Sequence, residues 1–226
     1  MGKTKDSKPK EERQLTEAEI RRSENFKVKE ASLLEKGYAR KDLTISIEKA
    51  NTVGALLTLP FVALMILGYA IYNHGEFGII KTLHENMVLY FIGIASIMVS
   101  FFVCAVIHEG IHGLIWSTGA ENGFKDIEFG FIKEKLTPYC TCLSPLKKPL
   151  YIFGSLMPMT ILGIVVGVVS IFLGNVVMLI IGCMQTLGGA GDLLVTCMLL
   201  RYKTKGKDTV LMDHPTECGL VVFEKN

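Results

Sequence analysis

A run from Met87 to Ile107 contains no charged side chain, and it ends directly on His108-Glu109-Gly110-Ile111-His112. A bilayer core of ~30 Å takes ~20 apolar residues in a helix, so this run has the length of a span. In a helix, histidines at i and i+4 share one face. Neutral imidazole is a zinc ligand, and a glutamate beside the first histidine can serve as general base. Two histidines and a glutamate are costly to bury in a span without a role. The placement therefore predicts a metal-dependent hydrolase with its site in the membrane.

Two further regions are apolar enough to cross a bilayer. One is Val53–Tyr72. The other runs from Pro149 to Leu200, is too long for one crossing, and breaks at Leu173-Gly174-Asn175. It reads as two helices of roughly 25 residues each, which makes four spans. Pro60 and Pro158 fall inside spans, where packed neighbours tolerate kinks. The expected fold is thus mainly α and integral to the membrane. It has about four transmembrane helices, a small β-hairpin loop between the second and third, and short cytoplasmic ends. The divisions are residues 1–50, a four-span domain at 51–200, and a tail at 201–226.

Charge orients these spans. The first 50 residues hold 13 Lys/Arg and 10 Asp/Glu, with no short apolar core after the basic start, so no cleaved secretory signal is expected. Successive connecting segments carry 13, 1, 5, 0 and 5 Lys/Arg, which predicts both termini in the cytoplasm. The positive charge belongs at the membrane face, and no nucleic-acid partner is expected. The cysteines are Cys104, Cys140, Cys142, Cys183, Cys197 and Cys218. A reducing compartment argues against a disulfide framework. Cys140 and Cys142 share one face of an extended strand, which needs no metal to explain it.

Residues 1–10 read as disordered. Residues 11–36 read as an amphipathic helix ended by Gly37, with Ile20, Phe26, Val28, Leu33 and Leu34 among dense charges, lying on the membrane surface. Leu43–Ile47 alternates like a short strand. Ile127, Phe129 and Phe131 alternate as well, and Thr137 to Leu143 is extended in character. These two stretches predict a hairpin turning at Lys133-Glu134-Lys135. Its edge can receive a peptide as an added strand, and the alternative is an ordinary re-entrant loop. Thr209–Phe223 reads as a small cytoplasmic hairpin around Pro215.

A catalytic zinc site needs a third protein ligand and an open position. Asp192, after Gly188-Gly189-Ala190-Gly191, is the only acidic residue in the last span. His108 lies eight residues before Trp116, or ~12 Å at helical rise, and Asp192 nine before Arg201, or ~13 Å. Both spans run toward the cytoplasm, so the two groups meet near that side. Cys104, one turn before His108, is a rival ligand, as are His214, Glu217 and Cys218 in the tail. The expected constellation is His108, His112 and Asp192 around Zn2+, with Glu109 moving the proton between water and leaving amine. A non-catalytic metal-binding scaffold or transporter is the main competing reading. A bis-histidine haem carrier would need paired histidines on facing helices. His74 and His84 flank the outer loop as interface residues.

On His108-Glu109-Gly110-Ile111-His112, the Thr137-Pro138-Tyr139-Cys140 loop followed by Pro149–Pro158, and Gly191-Asp192, the chain resembles the putative zincin peptidases. These are small multi-span bacterial proteins. More distantly it is similar to the site-2 proteases, which cut transmembrane segments. The resemblance covers roughly residues 85–200. It implies His108, His112 and Asp192 as zinc ligands and Glu109 as acid/base. It also implies a peptide or transmembrane-segment substrate, membrane lipid as partner, and a bacterial cytoplasmic membrane. The site-2 pattern of Asp-Gly with an upstream Asn-Pro is absent, since Asp192 precedes Leu193.

Overall fold

The computed structural model describes residues 17–77, 86–132, 137–204 and 206–225. Residues 1–10, the turn at Lys133-Glu134-Lys135, and His84 lie outside them. The fold is mainly helical. In chain order come α1 (Glu17–Glu35), β1 (Ala39–Thr44), α2 (Ile47–Tyr72) and α3 (Met87–Ser117), then β2 (Ile127–Ile132), β3 (Thr137–Cys142) and β4 (Leu146–Lys147). There follow α4 (Lys148–Leu173), α5 (Val176–Gly188), α6 (Ala190–Arg201), β5 (Asp208–Asp213) and β6 (Gly219–Lys225).

The long helices begin on residues that complete their free N–H groups. Ser46 accepts from Lys49, Asn86 from Val88 and Leu89, and Asn175 from Met178. Among the described residues α2, α3 and α4 are long and apolar enough to cross a membrane, and α5 with α6 makes a fourth if counted together. The expected fourth span of about 25 residues is corrected here, because it breaks at Gly189 into two helices bent by 46°. Glycine in the run Gly188-Gly189-Ala190-Gly191 weakens helix continuity, and Gly189 packs against Met159 where a side chain would not fit. Within α4, Pro158 precedes a π-helical stretch at Met159–Val165. A proline ring removes one backbone bond, and the looser turn absorbs the misfit.

The two ends of the chain share one sheet. Its strand order is β1-β6-β5-β4, all antiparallel, with Ala39 opposite Glu224, Asp208 opposite Lys225 and Leu146 opposite Leu211. The tail hairpin is present as β5 and β6, flanked by strands from two other parts of the chain. The N-terminal strand lies at Ala39–Thr44, slightly before the expected Leu43–Ile47. Both sheet faces are buried. Leu211, Leu220 and Val222 meet Trp116, Tyr151 and Leu199 of the helical bundle, while Val210, Met212, Val221 and Phe223 meet Phe26 and Leu33 of α1. The helix α1 covers the sheet through Phe26 and Leu33, while Ile20, Val28 and Leu34 are exposed. It also touches the other hairpin, through Arg21 to Glu128 and the Arg22 guanidinium 4.5 Å over the Tyr139 ring, and pairs Lys29 with Glu121 in the turn after α3.

The β2–β3 hairpin forms as expected, with Phe129 opposite Cys140. It lies on α3 at Gly113, where a Cβ would come 2.6 Å from the Phe129 ring. Only glycine lets the strand come that close, and this contact holds β3 beside the motif residues.

Candidate metal centre

The hydrophobic run of α3 places His108 and His112 on one inward face, 7% and 3% exposed, while Val106 and Ile107 point outward. Across from them, the bend at Gly189 turns Asp192 inward in the first turn of α6. His108 Nε2 is 3.1 Å from Asp192 Oδ2, and His112 Nε2 is 3.5 Å from Asp192 Oδ1. One ligand atom from each residue lies within 4.8 Å of the other two. Among the described residues this is the one cluster of three His, Cys, Asp or Glu groups that offers such a set.

The donor set fits a zinc ion. Two imidazole nitrogens and a carboxylate oxygen form the ligand set of some open catalytic sites, and here the three lie close enough together to share one ion. His112 Nδ1 donates to the Gly154 carbonyl at 2.9 Å. A carbonyl only accepts, so Nδ1 carries the hydrogen and Nε2 keeps its lone pair toward Asp192. Trp116 stacks on the other side of the same ring, and Tyr151 stacks on Trp116 with centroids 5.3 Å apart.

Glu109 lines the same open cavity of about 300 Å³ as His108, His112 and Asp192. The Cys140 backbone N–H is directed at its carboxylate. The Cys142 N–H is directed at Asp213. Both groups point from one edge of β3, so that edge faces the cavity and the opposite edge faces β2. Pro138, in the same parity, lacks an N–H and costs the ladder nothing there.

The rival ligands fall elsewhere. Cys104, His214, Glu217 and Cys218 do not line the cavity. His214 Nδ1 accepts from the backbone of Thr216 and Glu217 in its own turn. Cys140 and Cys142 are free thiols. Burial pushes both upward in pKa, Cys142 to about 12, so neither is a thiolate at neutral pH.

Asp213 is a cavity residue that sequence reading did not single out. Its carboxylate, on β5, accepts from Tyr151 Oη and, at 2.7 Å, from Thr141 Oγ1. Burial holds its carboxyl above the ordinary value, against the pull of those donors and of the Cys142 N–H. The only signal for it was an acidic residue closing an apolar strand, which is also how many surface strands end. Gln185 was missed as well. A polar amide inside an apolar span was its signal.

Residues 101–206 match the putative zincin peptidase family. The matched region contains His108, Glu109, His112, Gln185 and Asp192, and ends before Asp213. The family description fits the metal-ligand set, and together they point to a metallopeptidase. No curated protein matches the chain, and no solved structure does.

Proposed function

We propose that this protein is a membrane-embedded zinc peptidase that hydrolyses peptide bonds, with a transmembrane segment or a membrane-proximal peptide as substrate. The observation that carries the reading is the convergence of His108, His112 and Asp192, ligand atoms within 4.8 Å, beside Glu109 in one cavity.

A zinc ion held by those three residues would lower the pKa of water toward ~7 and polarise a carbonyl. Glu109 takes the proton from the attacking water and delivers it to the departing amine. The Cys140 N–H steadies the carboxylate while it does so. The cavity edge of β3 lies along the unwound substrate and offers the Pro138 and Cys140 carbonyls to its backbone N–H groups, since the Cys140 and Cys142 N–H groups on that edge are directed at Glu109 and Asp213. The Lys/Arg distribution supports cytoplasmic termini and a site toward that face.

The test is Glu109→Gln in the full chain, purified in detergent, with bound zinc and cleavage of a single-span reporter both measured. Zinc retained with cleavage reduced ~10²-fold or more supports the peptidase. Zinc retained with cleavage unchanged, or wild-type protein that binds zinc and cuts no reporter, favours a non-catalytic metal protein.

A further inference from the structure

A second cleft, of about 160 Å³, reaches His108 and Glu109 from between α3 and α5. Its other walls are Phe101, Phe102, Ala105, Pro138, Gly188 and Gln185. Gln185 is 3% exposed, no hydrogen bond involves its side-chain amide among the described residues, and the amide is not among the buried atoms shut away without a partner, so it opens onto the cleft. Where solvent completes such a group, a ligand that displaces it must replace those hydrogen bonds.

The chemistry of the cleft says what completes this one. A peptide entering between the phenylalanine rings leaves water, and its carbonyl oxygen needs a donor. Pro138 has no N–H, the His108 imidazole is engaged with Asp192, and ionised Glu109 only accepts. Gln185 supplies the uncommitted side-chain N–H. Neither orientation of its amide is fixed by a neighbour, so the NH₂ can turn to the ligand.

We propose that the Gln185 amide donates a hydrogen bond to the scissile carbonyl oxygen and stabilises the charge that gathers there. This inference rests on the peptidase reading above. As water adds to the carbonyl carbon, a C–O bond forms and the carbonyl electron pair moves onto the oxygen. The amide N–H meets that charge. When the pair returns, the C–N bond breaks and the amine leaves with the proton Glu109 carried from water. A donor that gains strength as charge develops accelerates the step more than it tightens substrate binding.

The test uses the full chain with zinc. Gln185→Met keeps the length and apolar fill of the side chain, and Gln185→Glu keeps the acceptor but loses the NH₂. The probes are a single-span reporter and the same segment with a phosphonamidate at the scissile bond, whose tetrahedral oxygens mimic the charged carbonyl. Binding is read from the emission of Trp116, the chain's single tryptophan. For both variants kcat falls ~10²–10³-fold with KM nearly constant, and phosphonamidate affinity falls in parallel. Zinc content, Tm and affinity for the uncut reporter in a Glu109→Gln background stay at the parental level. Unchanged kcat in Gln185→Met overturns the inference, as does a rate loss that tracks lost zinc or a lowered Tm. If wild-type protein cuts no reporter, the peptidase reading fails, and the phosphonamidate arm still decides Gln185: equal affinity in wild type and Gln185→Met excludes the donor role.

Discussion

Trp116 stacks on His112 with ring centroids 4.7 Å apart and planes 15° from parallel. The chain has no other tryptophan, so its emission reports directly on an imidazole of the metal site. A zinc ion held by His112 would draw electron density from the stacked ring. Adding zinc to chelator-treated protein should shift Trp116 emission saturably at one ion per chain, and chelator should reverse it. His112→Ala and Asp192→Asn should each abolish the saturable change and bring bound zinc well below one ion per chain. An unaltered titration in either variant would remove that residue from the site.

Gly154 carries the aromatic stack. A Cβ at that position would overlap the Trp116 indole, while the Gly154 carbonyl orients His112. Gly154→Ala should therefore cost ~1–3 kcal/mol through overpacking and also weaken zinc binding ~10–100-fold through the displaced imidazole. Calorimetric unfolding and zinc titration measure the two effects separately. Loss of stability with unaltered zinc affinity would show that the Gly154 carbonyl does not position the ring.

Glu224 ties the terminal sheet to the bundle. It accepts from Lys41 on β1, from Lys207, and from Tyr202 at the end of α6. These donors, Lys41 first, pull its carboxyl down to about 2 from 4.5. The folded value is the lower one, so its stabilisation is present above pH 4.5 and is lost as pH falls toward about 2. Tm of wild type should exceed that of Glu224→Gln at pH 7, and the gap should close on acidification through this window. A gap independent of pH would assign the effect to packing instead.

The helix α1 is held by packing more than by charge. Phe26 is 6% exposed and meets Phe223 with centroids 6.1 Å apart. Phe26→Ala should cost ~3–5 kcal/mol, whereas Arg21→Ala breaks an exposed pair with Glu128 and should leave the urea midpoint almost unmoved. The reverse order would mean that the Arg21–Glu128 pair to the β2–β3 hairpin dominates.

What the linear chain contained was everything set by local period. Uninterrupted apolar length marked the helices, i to i+4 spacing put His108 and His112 on one face, and alternation marked β2, β3, β5 and β6. These patterns survive in the fold because each depends on neighbours within a few residues. Asp192 could be matched to His108 in depth, since helical rise converts residue counts into distance.

Contacts between distant segments were decided only by the tertiary structure. The 46° bend at Gly189 aims Asp192 at the histidines, and it depends on Met159 and Gly54 packing against the glycine-rich turn. Pairing of β1 with β6 buries both sheet faces, turns α1 inward, and carries Asp213 into the cavity. Gln185 faces the cleft because α5 meets α3 there, a rotation that no local pattern encodes. Spacing along a helix is fixed by backbone geometry, but the convergence of segments 84 residues apart is fixed by how their surfaces pack.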